Sequence, residues 1–143
     1  MSQQRIDLLI ATGEGYDAIV RAAMALSSEQ TARALVLFGA ETFAFRPRPS
    51  TILVPHMPAG VIACVPALEE FGIASRLAST AGLPGCHDGT VEELAQIWLG
   101  SLAADELASV HISVSGSDTI VTAITALAQA LGLPTVNIPT QAA

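Results

Sequence analysis

The sequence predicts an α/β fold: a single-domain, three-layer sandwich over residues 1–143, with a mostly parallel sheet of about five strands and helices on both faces. Three observations predict it. Short apolar runs with little polar alternation recur along the chain, as expected of strands buried on both faces. Segments with apolar residues at i, i+3, i+4 and i+7 separate several of them. Glycine-, serine- or proline-bearing junctions punctuate the alternation, and right-handed crossovers then give a parallel sheet covered by helices on each side.

Ile6 to Thr12 is read as the first strand, and Gly13-Glu14-Gly15 as a turn into a helix whose apolar face carries Ile19, Ala22, Ala23 and Leu26. The turn lacks the third glycine of a Gly-x-Gly-x-x-Gly motif. Ala32 to Gly39 is the second strand, and Ala40 to Phe45 is read as a helical turn or a strand extension. Prolines at 47, 49, 55 and 58 exclude a regular helix between Arg46 and Pro58 and leave Thr51 to Val54 as a short strand candidate. Gly60 to Val65 is read as the third strand, Pro66 as its stop, and Ala67 to Thr80 as one helix through Leu68 and Phe71.

Gly82-Leu83-Pro84-Gly85 breaks the chain, and Thr90 with Glu93 forms a capping box for a helix over Val91 to Leu99, with Trp98 inward. Val110 to Val114 is the fourth strand. Ser115-Gly116-Ser117-Asp118 leads into a helix from Thr119 to Leu131, which Gly132 caps and Pro134 prevents from continuing; Thr135 to Ile138 closes the sheet.

Composition excludes several chemistries. All six basic residues are arginine, so there is no Schiff-base lysine and no phosphate-loop lysine. A net charge of −7 argues against a nucleic-acid groove. Two cysteines, Cys64 and Cys86, make neither a disulfide framework nor a metal-type Cys-x-x-Cys, and no metal or cofactor is expected. No apolar run approaches the roughly 20 residues of a membrane span, and the N-terminus shows no apolar signal region; a cytoplasmic protein is expected.

Parallel strands place their strand-to-helix junctions on one edge, where open α/β sheets bind ligands. That edge is expected to gather Thr12, Gly13, Glu14, Gly15, Tyr16, Gly39, Glu41, Cys64, Ser115, Gly116 and Ser117. Cys64 has two readings there. It is a thiol ahead of a helix N-terminus, where ionisation is eased, or a small buried hydrophobe. Cys86-His87-Asp88 is read as a local turn, because triads are assembled from distant segments. His56 is read as a solvated loop histidine.

Three features resemble the DsrE/DsrF-like family of sulfur-relay proteins: Ala11-Thr12-Gly13 running into a helix with Tyr16-Asp17; Leu35-Val36-Leu37-Phe38 leading into Gly39-Ala40-Glu41; and Val61-Ile62-Ala63-Cys64 ahead of Phe71-Gly72-Ile73. The resemblance implies a sulfur carrier that accepts sulfane sulfur on Cys64, a homo-oligomer, and a sulfur-relay partner protein. The alternative is a non-catalytic α/β protein that binds a nucleotide or small anion on the helix-start loops, or a structural oligomer.

Overall fold

A computed structural model describes residues 5–140; residues 1–4, part of the N-terminal stretch read as lacking a signal region, lie outside it. The first strand, β1, is Ile6–Thr12, and a single turn of 3₁₀ helix, Gly13–Gly15, joins it to α1, Tyr16–Met24. A short helix α2, Ser28–Thr31, starts on a capping box between Ser27 and Gln30 and delivers the chain to β2, Ala34–Gly39. After a long irregular segment come two paired stubs, β3 Arg48–Pro49 and β4 Ala63–Cys64, then α3, Pro66–Glu70, and β5, Ala74–Ser79. The rest is β6 His87–Asp88, α4 Val91–Gly100, α5 Ala104–Leu107, β7 Val110–Ser115, α6 Asp118–Leu131 and β8 Thr135–Asn137.

Six strands form one sheet in the order β6-β5-β2-β1-β7-β8, with every neighbour pair parallel. The expected α/β sandwich is therefore present, with one more strand than expected. The two-residue period of the strands divides the core. Leu8, Ile10, Leu35, Leu37, Ile112 and Val114 pack with Leu94, Trp98 and Leu99 of α4 and Ile120 and Ile124 of α6. Leu9, Ala11, Val36, Phe38 and Leu77 pack on the other side with Ile19 and Ala23 of α1 and Leu68 of α3. Each fully buried Leu or Ile contributes about 1.5–3 kcal/mol relative to exposure, so both faces of β1 must stay covered for the sheet to hold.

The segment from 60 to 80 departs from expectation. Gly60–Val65 is not a strand of the main sheet; only Ala63 and Cys64 form a ladder, and it runs antiparallel to Arg48 and Pro49. The third sheet strand is instead β5, inside the stretch expected to be helix. The helix stops because Gly72 adopts φ +79°, a conformation that penalises a Cβ. The Ile73 N–H returns to the Leu68 carbonyl (2.9 Å), the long bond of a Schellman cap. Beyond it Ile73, Ser75 and Leu77 alternate with Ala74, Arg76 and Ala78, a two-residue period, and β5 pairs with β2 from Leu35↔Ala74 to Gly39↔Ala78. Ala40 to Phe45 and Thr51 to Val54 are neither helix nor strand.

The turns at the carboxyl ends of β1 and β7 are pressed together. A Cβ built on Gly15 would lie 2.1 Å from the Ser115 carbonyl oxygen, a rigid backbone atom. Gly15→Ala should destabilise the chain by more than about 2 kcal/mol in urea denaturation, as overpacking against backbone does. Gly100→Ala, whose Cβ meets nothing at the end of α4, should be neutral or stabilise by up to about 1 kcal/mol.

Candidate functional site: a cleft at the carboxyl edge of the sheet

Strand order decides where a site can open. The chain steps outward from β1 to β2, β5 and β6, then returns to the other side of β1 for β7 and β8. The helices that follow β1 and β7 therefore diverge at the carboxyl edge, the switch point at which doubly wound sheets bind ligands. A cleft of about 480 Å³ lies on this edge, bordered by Thr12, Gly13 and Glu14 after β1, Gly39 to Glu41 after β2, Thr80 after β5, and Thr90 and Glu92 at the start of α4.

Local structure holds these groups in place. The Ser79 hydroxyl donates to the Glu41 carbonyl (2.9 Å), and the Ala40 N–H donates to the Ala78 carbonyl (3.1 Å), so the turn after β2 is tied to β5. The start of α4 is tied in turn, since the Gly89 N–H donates to the Ser79 carbonyl (3.1 Å). The expected capping box is present: the Thr90 N–H donates to Glu93 Oε1 (2.8 Å) and the Glu93 N–H donates to Thr90 Oγ1 (3.2 Å). The bond from the Thr90 N–H, with smaller help from His87 and the Thr90 hydroxyl, holds the Glu93 carboxyl below the usual carboxylate range. Val91 packs against Gly39, where a Cβ would lie 2.7 Å from the valine Cβ, so this residue seats α4 on the end of β2.

The charge of the cleft is one-sided. Glu14, Glu41 and Glu92 border it together with the hydroxyls of Thr12, Thr80, Thr90 and Ser117, and none of its lining residues is basic. The N-termini of α1, α4 and α6 also reach this edge, but each already carries acids in its first turn: Asp17, Glu92 with Glu93, and Asp118. Their partial positive charge is largely met from within the chain.

Of the residues expected at the edge, Thr12, Gly13, Glu14, Gly39, Glu41 and Ser117 border the cleft. Gly15 is buried behind it, and Ser115 is fully buried with its hydroxyl unpartnered. Gly116 borders a separate hollow with Asp118 and Asn137, and Tyr16 borders a second cleft on the α1 side. Sequence reasoning missed Thr80 because β5 was read as helix. It missed Thr90 and Glu92 because a capping box marks where a helix begins but not what the helix is set against. The turn itself reads Gly13-Glu14-Gly15-Tyr16-Asp17-Ala18, and Ala18 is 5% exposed against the sheet. Alanine serves at that third position, where close helix–strand packing is needed.

Cys64 is not at this edge. It has no exposed surface and lies in the β3–β4 ladder, beside β5, where the Val65 N–H donates to Ser75 Oγ (2.8 Å). Burial pushes the thiol up; the Glu69 carboxylate beside it pushes the same way, against the opposing influence of Arg48. Glu69 also fastens the proline-rich segment. It accepts from the Ser50 hydroxyl (2.7 Å), the Thr51 N–H (2.6 Å) and the Thr51 hydroxyl (3.0 Å). Arg76, 5% exposed, donates to the carbonyls of Ser75 and Ile52, both at 2.6 Å. His87, in the two-residue β6 with Asp88, stands 3.8 Å from Glu93, and His56, at φ +70°, stands 3.4 Å from Glu106. Among the described residues no group of three or more His, Cys, Asp or Glu is placed to hold a metal, and no helix is long and apolar enough to cross a membrane.

The six-stranded parallel sheet with a switch beside its central strand defines a doubly wound α/β protein. No family model and no curated protein matches the chain. In fold it is similar to a ferredoxin reductase of carbazole 1,9a-dioxygenase, solved in an FAD apo form, with a TM-score of 0.59 and 17% sequence identity over 94% of this chain. The chain spans 35% of the length of that reductase.

Burial opposes ionisation of Glu69, yet its hydrogen bonds from Ser50, Thr51 and Cys64 hold the carboxyl below its ordinary value. A depressed acid stabilises the fold fully above the ordinary carboxylate range, and the contribution is lost as pH falls through the lower folded value. Glu69→Gln should therefore cost about 1–3 kcal/mol at neutral pH. The gap from the parent should close in acid, followed by urea denaturation across pH.

Proposed function

We propose that this chain is a small-ligand binding module whose ligand carries a ribose, bound as a nucleoside or the nucleoside end of a larger molecule in the carboxyl-edge cleft. The observation that carries it is the cleft's lining: three glutamates and four hydroxyl side chains, without a cation, at the switch point of a doubly wound sheet. Glu41, two residues past the end of β2, lies where such sheets present an acid to ribose hydroxyls. A carboxylate accepts those hydroxyl protons in strong, charge-assisted hydrogen bonds.

A bare anion fits poorly. Each carboxylate at roughly 7 Å from a phosphate charge costs about 0.6 kcal/mol in water. A helix N-terminus returns about 0.3–1 kcal/mol, but the three that reach this edge already carry Asp17, Glu92 with Glu93, and Asp118 in their first turns, so the cleft carboxylates face an anion without a free counter-charge. The nucleotide form of the expectation is thus narrowed towards the nucleoside moiety. Because the reductase similar in fold is described by its FAD state, an adenine dinucleotide belongs in the test beside adenosine.

In a thermal-shift and calorimetric series, adenosine should raise the melting temperature and inorganic phosphate should not. Glu41→Gln should weaken adenosine about tenfold, as loss of a charged acceptor does. A flat response to adenosine and to the dinucleotide overturns the proposal.

A second reading is the DsrE/DsrF-like sulfur carrier. The observation in its favour is that Arg48 and Arg76 lie within electrostatic reach of the Cys64 thiol. Its zero exposure stands against it. In this reading a Cys64 thiolate attacks a polysulfide, taking one sulfane sulfur while the shortened polysulfide leaves. Mass spectrometry of the native protein after polysulfide treatment should then show one added sulfur on Cys64, absent in Cys64→Ser. An unmodified Cys64 removes this reading.

A further inference from the structure

We propose that the second cleft at the same edge is a stacking subsite for the planar ring of the ligand, with a preference for an amino-bearing purine. The inference rests on the ribose reading above and deepens it. The second cleft, about 280 Å³, shares Gly13, Glu14 and Ala40 with the first, so one ligand can reach from one to the other. Its size is near the lower bound of small-molecule sites.

The walls of this cleft are unusual for the chain. Only six residues are aromatic, four Phe, one Tyr and one Trp, and four of the six meet here. Tyr16 lies 4.8 Å from Phe38 and 5.6 Å from Phe45, measured between ring centroids, and Phe43 backs Phe45 at 5.2 Å. Tyr16, Phe38 and Phe45 line the cleft itself. Phe38 is buried core at the end of β2, but Tyr16, Phe43 and Phe45 are only half-buried, and the two phenylalanines stand in a segment with no regular structure. The Tyr16–Phe45 and Phe43–Phe45 pairs are near-parallel, at 26° and 27°. Half-buried flat rings of like orientation, three of the four rings lining a cleft, form the kind of platform on which a base stacks.

The rim sets the preference. Glu14 and Asp17 are exposed carboxylates on this cleft, and Thr42 adds a hydroxyl. Carboxylates only accept hydrogen bonds, so they favour a ring with an exocyclic amino group over its oxo counterpart. Adenine presents such a donor and hypoxanthine does not.

The test uses the whole chain, with calorimetry and NMR of the aromatic resonances. Adenosine should shift the Tyr16 and Phe45 ring signals and bind about fivefold or more tighter than inosine, a comparison that needs no variant. Phe45→Leu, which keeps an apolar side chain of similar reach, should weaken adenosine about tenfold, the loss expected when one stacking ring is removed. If adenosine binds with dependence on Glu41 while the rings stay silent, the stacking subsite is overturned and the ribose site stands. If only free adenine binds and moves the rings, the ribose reading fails and the stacking subsite stands. If adenosine, adenine and the adenine dinucleotide all leave the protein unchanged, both fall.

Discussion

The double burial of the central strand organises this molecule. Leu8 and Ile10 face one helical layer and Leu9 and Ala11 the other, and all four are at most 3% exposed. A strand covered on both faces can satisfy its backbone only through neighbours in its own plane, and β2 and β7 supply them in full register. With both flanks taken, the chain must leave β1 over the top of the sheet, and the crossovers send α1 to one face and α4 and α6 to the other. The carboxyl ends of the strands are the one edge where all these departures converge, so an opening there follows from how β1 is enclosed.

The electrostatics of that opening follow from the same construction. Helices beginning at the edge need acids or capping residues in their first turns, and the chain supplies Asp17, Glu92, Glu93 and Asp118. Glu14 and Glu41 add to this, while the six arginines are spent elsewhere; Arg76, for instance, is buried as a clamp on Ser75 and Ile52. The edge therefore favours hydrogen-bond donors over anions. The aromatic rings beside it give the same edge an apolar wall, and it is these two unlike halves that the proposed ligand, with hydroxyls at one end and a flat ring at the other, is meant to span.

Around Cys64 the chain does something different. A thiol, a carboxylate and a guanidinium are packed beneath the segment that runs from Pro47 to Pro58, with Glu69 and Arg76 holding Ser50, Thr51 and Ile52 by side-chain bonds to the backbone and hydroxyls. These are fastenings for a stretch that cannot hold itself by secondary structure, since its prolines lack the N–H a ladder or helix requires. The Trp98 indole N–H performs the same service further along, donating to the Pro55 carbonyl (3.0 Å).

Legibility varied with how local the deciding forces are. β1, β2, α4, α6 and the Thr90–Glu93 box were readable because apolar runs, helical spacing and capping chemistry act over a few residues. The Gly60–Val65 run misled because an apolar run marks burial without saying against what, and Gly72, the stop that frees β5, sat inside a plausible helical pattern. Sequence by itself determined the class of fold, the edge at which the cleft opens, and six of the cleft's residues, since period and connection length bear on these directly. Only the tertiary structure decided that Cys64 is sealed, that Thr80 and Glu92 join the cleft, and that four aromatic rings meet beside it. Those outcomes depend on which strand lies next to which, and that is set by packing between segments far apart in the chain.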